Sequence, residues 1–439
     1  MNYNININNF VSKNELKLYF KKLFPICRSI MGNGFRDSLN IIGEIVDLNL
    51  IKFKSGSNVL DWTIPNEWNI KDAYILCPNG NKIIDFKKNN LHVVNYSIPI
   101  NKTINLDQLK KNLHTLRKQP NAIPYVTSYY NPNWGFCLEY NKYKKLKSGN
   151  YKVFIDSSIK KGELIISDKK IVGKSKKEIL LSTYLCHPQM ANHELSGPLV
   201  WAMLYRILKD TGPHKYTYRF LICPETIGSA AFLHKNKKNI HNIIAGYVIN
   251  CVGHGKEINY KKSRIGNSLA DKAAINIIKH SKKKYFIHDF FPWGSDEKQF
   301  CSPGFNMPIG LLMRKQYGGF PEYHTSLDNE KLISYDTLIE SIKLYYEILL
   351  TIENNYTPQA KIIYGTPQLS KSKDPLYPKL MNWKATSLDK IIQVMLEILN
   401  ICDGNIDLLD AANSKNFKLI DYLDLIKKLE KNNYIKKIS

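Results

Sequence analysis

The sequence predicts an α/β fold, a parallel sheet covered by helices, followed by a helical tail that ends in a β-wing. Between residues 178 and 252, apolar runs of strand length (178–185, 218–223, 243–252) alternate with stretches of helical periodicity (196–209, 229–235), the pattern of strands joined by helical crossovers. Strands so continuously apolar belong in a sheet buried on both faces. After Tyr356, a stretch rich in Pro, Lys and Ser (Pro358, Pro367, 371–375, Pro378) leads into three short helical patterns and then Asn433-Tyr434-Ile435-Lys436-Lys437-Ile438. That order suggests a winged helix-turn-helix.

The other elements follow in chain order. Residues 14–48 carry Leu16, Phe20, Leu23, Phe24, Ile26 and Ile30 at helical spacing before Met31-Gly32-Asn33-Gly34, so two helices flanking a glycine turn are expected. From 51 to 100 the apolar period shortens towards two, as in Ala73-Tyr74-Ile75-Leu76 and His92-Val93-Val94, with Pro65, Pro78-Asn79-Gly80-Asn81 and Pro99 as punctuation. A small β-rich module results. Residues 105–117 read as a helix, and 120–132 as an irregular aromatic stretch of the kind that lines a pocket. The tail's last long helix is expected over 417–432.

A chain of 439 residues exceeds what one core usually holds, so a main domain with smaller attachments is expected. Its 44% hydrophobic content supplies a sizeable core and excludes wholesale disorder. The first ten residues lack the basic start and apolar run of a secretory signal. No apolar run approaches the roughly 20 residues of a membrane span, so a cytoplasmic protein without membrane association is expected. Eight isolated cysteines, with no C-x-x-C pair, read as reduced thiols. A net charge of +25 suits polyanions, yet the lysines are dispersed as Lys-Lys pairs and read as a solvated basic surface.

Three loops carry the chemistry. Cys186-His187-Pro188-Gln189-Met190-Ala191-Asn192-His193-Glu194-Leu195-Ser196-Gly197 follows one predicted strand and precedes an apolar helix, and ligands gather in loops at the carboxyl ends of such strands. His187 and His193 offer imidazoles to a zinc ion, which in catalytic sites takes three protein ligands and a water. A surface histidine and a helix-cap neighbour are the plainer alternative. Glu225, in Cys223-Pro224-Glu225-Thr226-Ile227-Gly228-Ser229, is placed to move a proton from water to a leaving amine, or to answer a helix dipole. His324, in Pro321-Glu322-Tyr323-His324-Thr325-Ser326-Leu327-Asp328, closes a metal site from the far side, with Asp328 orienting it or capping the next helix. Asp296 and Glu297, in Trp293-Gly294-Ser295-Asp296-Glu297, either hold a substrate amine or support an imidazole, unless Ser295 or Asp296 merely caps a helix. Tyr129, Tyr130, Trp134, Arg314 and Tyr323 complete the candidate pocket wall, Arg314 pairing with a substrate carboxylate or with a structural partner.

In order, these segments resemble the zinc aminopeptidase superfamily that includes leucyl aminopeptidases and glutaminyl cyclases. They look most like a bacterial group of aminopeptidase-like proteins with an inserted small β domain and a C-terminal winged helix, sometimes encoded among surface-polysaccharide genes. The resemblance implies a mixed sheet flanked by helices. It divides the chain into an exopeptidase-like domain (1–50 and 118–356), an insert (51–117), a linker (357–378) and a winged helix (379–439). It makes His187 and His324 the first and last metal histidines and Glu225 the acidic position that supplies the base or a ligand. Two positions depart from the pattern. His193 stands where a bridging aspartate is usual, and Asn250 where dinuclear members carry an aspartate. A neutral imidazole gives one lone pair to one metal, so one zinc per chain is expected on His187, His193 and His324. The expected function is hydrolysis of a terminal amide bond in a small peptide. The alternatives are an inactive scaffold that binds a partner, or a deacylase acting on aminoacyl or acylamino sugars. Asp421, Asp424 and Glu430 in the tail make a poor face for phosphate backbones, so nucleic acid is not expected there and a homo-oligomeric contact is.

Overall fold

The apolar runs at 178–185, 218–223 and 243–252 become neighbouring strands at the centre of an eight-stranded sheet. The computed structural model describes residues 5–369, 376 and 387–438. In chain order the strands of this sheet are Leu50–Lys54 (β1), Glu163–Ile171 (β2), Glu178–Tyr184 (β3), Thr217–Cys223 (β4), Ile243–Ile249 (β5), Ile258–Lys261 (β6), Tyr285–His288 (β7) and Ile309–Met313 (β8). They lie side by side as β1-β2-β4-β3-β5-β8-β6-β7. The inner four, β4, β3, β5 and β8, are mutually parallel, while β1, β2 and β6 add antiparallel pairings at the flanks. The sheet is therefore mixed around a parallel centre.

Every residue of β3, β4 and β8 is buried, because helices cover both faces. Alternate side chains of a strand point to opposite faces. Tyr218, Phe220 and Ile222 join the core beneath the helices Ser196–Asp210 and Tyr335–Glu353, while Leu221 and Cys223 pack with Phe232, Leu233 and Phe300 on the other side. The helix Ser196–Asp210 sits close on the sheet because its second residue is Gly197. A Cβ there would lie 2.3 Å from the Ile249 carbonyl oxygen.

The insert builds its own antiparallel sheet, ordered Lys82–Asp85, Glu67–Leu76, Asn150–Lys160 and Ile100–Asn105. Its core gathers Trp68, Ile75, Tyr96, Val153 and Ile155. The expected limits of 51 and 117 do not follow the sheets. Residues 50–54 pair with β2 in the main sheet, and Asn150–Lys160 belongs to the small one. An alternating apolar pattern marks a strand without naming its partner, so the sequence could not assign either. The helix expected over 105–117 is only Leu106–Lys110, started by the Asn105 side chain accepting from Gln108 N, and Leu113–His114 then pairs with Phe136–Cys137.

The tail comprises helices Ser387–Ile401, Leu408–Ser414 and Leu423–Lys431 and a strand, Ile435–Lys437. That strand pairs with Pro358–Ala360, so the stretch read as a linker opens with a strand of the tail, while Lys371 to Pro375 and Pro378 lie outside the described residues. The helix expected over 417–432 is broken by a 3₁₀ turn, Leu419–Tyr422, where the buried Asn276 side chain takes the Leu419 N–H at 3.1 Å. The same amide donates to Phe417 O and Asn413 Oδ1, both at 3.0 Å, and Lys272 pairs with Asp410 at 2.8 Å. Among the described residues no helix is long and apolar enough to cross a membrane. All eight cysteines are free.

Candidate metal centre

Parallel strands deliver their following loops to one edge of the sheet. The loops after β3, β4, β5 and β8 each hold a non-glycine residue at positive φ, namely Gln189 (41°), Thr226 (66°), Cys251 (51°) and His324 (56°). Each costs about 1–3 kcal/mol and persists only where surrounding structure fixes it. After β3 the chain makes a π-helical turn, Ala191–Leu195, before the helix Ser196–Asp210. Such turns redirect side chains at functional sites, and this one carries His193.

Three ring nitrogens meet at this edge. His193 Nε2 lies 3.5 Å from His187 Nε2 and 3.0 Å from His324 Nε2, and all three fall within 4.8 Å of one another. Tetrahedral zinc with nitrogen ligands at 2.0–2.1 Å needs nitrogens about 3.3–3.4 Å apart. The two measured separations bracket that figure, so the donor set fits the ion.

Hydrogen bonds on the far side of two rings fix which nitrogen faces inward. His187 Nδ1 is 2.8 Å from Glu194 Oε2, and the His187 N–H donates to Glu194 Oε1 at 2.9 Å. A carboxylate accepts, so Nδ1 carries the proton and Nε2 the lone pair. Behind Glu194, the fully buried Arg28 lies 3.8 Å from Oε1 and donates to His187 O at 2.9 Å. Tyr184 OH donates to His193 O at 2.9 Å and stands 3.0 Å from His193 Nδ1. With its one proton on the carbonyl, the hydroxyl accepts from Nδ1–H, and His193 Nε2 also turns a lone pair inward. Asp328 clamps the turn, taking the N–H groups of Asn192 at 2.6 Å and His193 at 2.8 Å.

Burial holds His193 and His324 neutral, His324 with its pKa at about 3. Burial alone would lower His187 as well, but the Glu194 and Glu225 carboxylates together outweigh it and the pKa rises. Glu225 reaches the same space, its Oε2 3.7 Å from His187 Nε2. Burial raises its pKa above the ordinary carboxylate value. Tyr323 stacks on His324 with centroids 4.0 Å apart, and Tyr125 packs edge-on against His187 and His324 while sharing a 3.0 Å hydroxyl contact with Tyr129.

The structure thus brings His187, His193, His324 and Glu225 together, with Tyr323 and Tyr129 beside them. It turns other expected site residues away. Asp296 is fully buried and takes Thr226 N at 2.6 Å and Ser229 Oγ at 2.8 Å, so it braces the Glu225 loop and cannot hold a substrate amine. Glu297, 1% exposed, is paired with Lys261 at 2.8 Å. Arg314 is committed to Glu340 at 2.7 Å. Tyr130 donates to Thr63 O in the insert, and Trp134 packs edge-on against Phe136. Asn250 is buried at the end of β5, and its Oδ1 has no partner among the described residues. Glu194, Tyr184 and Arg28 escaped the sequence reading, whereas Tyr125 belongs to the aromatic stretch expected to line a pocket. The carboxylate of Glu194 seven positions after His187 was the one local hint.

A family model described as a domain of unknown function (DUF4910) matches residues 18–355. The chain belongs to this family. A winged helix-turn-helix model matches residues 357–437, which includes the strand Pro358–Ala360 and places the start of the tail before the expected 379. This DUF4910 chain is 45% identical over 410 residues, 93% of each protein, to a Clostridium acetobutylicum protein provisionally named as a polysaccharide biosynthesis protein with an aminopeptidase-like domain. A crystal structure from the same organism, provisionally described as a peptidase, superposes with a TM-score of 0.91 at 42% identity over 98% of both chains. A zinc aminopeptidase from Bacillus subtilis shares the fold, with a TM-score of 0.55 at 14% identity over 78% of this chain and 94% of its own. The DUF4910 part therefore has the mixed-sheet fold of the zinc aminopeptidases, and the winged helix follows it.

Proposed function

We propose that the chain is a metal-dependent hydrolase of terminal amide bonds, holding one zinc ion on His187, His193 and His324. The convergence of the three Nε2 atoms, with Glu225 3.7 Å from His187 Nε2, carries this reading. Zinc, when bound, supplies a Lewis acid and lowers the pKa of water. Glu225 takes the proton of the attacking water and returns it to the departing amine. Glu194 and Tyr184 hold the two rings in the tautomer that offers Nε2. Tyr323 and Tyr125 wall the space with aromatic surface that limits water.

Acylated or aminoacylated amino sugars form a second substrate reading. Asp296 and Glu297, two candidates for holding a free amine, are both buried and engaged, and the C. acetobutylicum relative is named for polysaccharide biosynthesis. Metal analysis and a hydrolysis panel test both readings. Purified protein is expected to carry close to one zinc and to hydrolyse an amide substrate in a zinc-dependent way. A protein that binds no zinc refutes the metal site. Zinc-loaded protein that hydrolyses neither peptides nor acylamino sugars refutes the hydrolase.

A further inference from the structure

The insert carries a second concavity, of about 670 Å³, which shares no residue with the metal site. Its volume lies within the roughly 300–1,000 Å³ of small-ligand pockets. Lys82, Lys88, Lys142, Lys145 and Lys147 line it. Two of these have counter-charges, Lys82 with Asp85 at 3.4 Å and Lys142 with Glu139 at 2.8 Å. Lys88, Lys145 and Lys147 make no ion pair among the described residues. Ile83, Leu146 and Tyr151 add apolar surface to the lining.

The cavity also holds a directional group. His92 is 5% exposed, and its Nδ1 lies 2.8 Å from Cys137 O. A carbonyl oxygen only accepts, so Nδ1 bears the proton and Nε2 the lone pair. Nε2 has no hydrogen-bond partner among the described residues, and burial keeps the ring neutral. The site thus offers cations for anionic groups, an acceptor for an O–H, and apolar surface for C–H groups. A phosphate ion alone has no C–H groups for the apolar surface. A sugar ring with anionic substituents uses all three.

We propose that this cavity binds an acidic saccharide, its phosphate or carboxylate groups held by Lys88, Lys145 and Lys147 and one hydroxyl donating to His92 Nε2. The ligand reaches the protein either as a nucleotide-linked sugar or as part of a uronate-bearing glycan. The site is separate from the hydrolytic reading and stands or falls without it.

Calorimetry on the full-length protein, in low and in moderate salt, tests the proposal with UDP-glucuronic acid, trigalacturonic acid, neutral maltotriose and inorganic pyrophosphate. At least one acidic saccharide is expected to bind about tenfold or more tightly than maltotriose and to weaken with added salt. The Lys88→Glu/Lys145→Glu/Lys147→Glu variant, altered only at exposed positions, is expected to lose about tenfold or more in affinity with an unchanged melting curve. His92→Phe is expected to weaken the saccharide while leaving pyrophosphate unaffected. The acidic probe that binds identifies the source. Four results overturn the proposal: no binding by either acidic saccharide, equal binding of maltotriose, pyrophosphate as tight as the acidic saccharide that binds, or unchanged affinity in the triple variant.

Discussion

Glu194→Gln asks whether the carboxylate behind His187 sets the metal site. Glu194 accepts two hydrogen bonds from one residue, from His187 N at 2.9 Å and Nδ1 at 2.8 Å, and is completely buried. Glutamine has a single acceptor oxygen. Whichever way its amide turns, its NH₂ faces one of those two donors, and the bond that survives decides the tautomer. If the backbone keeps the oxygen, His187 moves its proton to Nε2 and loses the lone pair that faces the metal. Loss of such an outer partner typically costs 10–100-fold in metal affinity, about 1.4–2.8 kcal/mol. The change also strips Arg28 of the one carboxylate paired with it among the described residues, 3.8 Å away in the interior. Breaking a buried charge pair costs about 3–5 kcal/mol, and the long separation argues for the lower end, about 3 kcal/mol. The variant should therefore bind zinc at least about tenfold more weakly in competition with a chromophoric chelator, and melt several degrees lower without metal. Zinc affinity within twofold of the parent would refute the role assigned to Glu194.

Four further outcomes follow from the geometry. His193→Ala should abolish stoichiometric zinc binding, measured by metal analysis after dialysis, whereas full occupancy would remove His193 from the site. Glu225→Gln should retain zinc while amide hydrolysis falls by about 10²–10⁴-fold, the usual contribution of a general base. Because His193 and His324 stay neutral to low pH and His187 is raised above its ordinary value, only His187 competes with zinc for a proton near pH 6. Affinity should then weaken as pH falls through the His187 pKa. Calorimetry in buffers of different ionisation enthalpy should show about one histidine proton released, and not three. Asn276→Ala removes three hydrogen bonds between core and tail, two of them buried, and should cost the tail about 1–3 kcal/mol. Faster hydrogen exchange confined to 408–438 would show it, and unchanged exchange would refute the docking role.

The chemistry-bearing loops were legible because their residue types stand just after apolar runs, and a parallel sheet sends all such loops to one edge. His187, His193, Glu225 and His324 became candidates on that ground, the first three beside plainer alternatives, and the resemblance to zinc aminopeptidases added weight to His187, Glu225 and His324. Which carboxylate serves which ring could not. Glu194 looks like one more polar residue in a helix-start motif, and only the π-helical turn swings it back to His187. Asp296 and Glu297 have the composition of substrate contacts, but burial beside Thr226 N and Lys261 decides otherwise, and local sequence does not encode which way a side chain faces. The limits of the insert failed for a related reason. The patterns of 50–54 and 150–160 are both those of strands, and the sheet that each joins is settled by partners far along the chain, Leu50 with Ser167 and Ile100 with Ile155.

Three distant segments hold the loop that carries His187 and His193. Arg28 reaches His187 O across 159 positions, Asn90 N binds the Gln189 side chain across 99, and Asp328 takes His193 N across 135. Contacts of such separation close late, since each must first overcome the entropy of a long loop. The histidine cluster is thus a product of nearly complete folding and cannot serve as its nucleus. Newly made chain should reach its final shape in a zinc-starved cell and take up the ion afterwards. A shortened version lacking either the first thirty residues or the insert should fail to capture metal even with every ligand present.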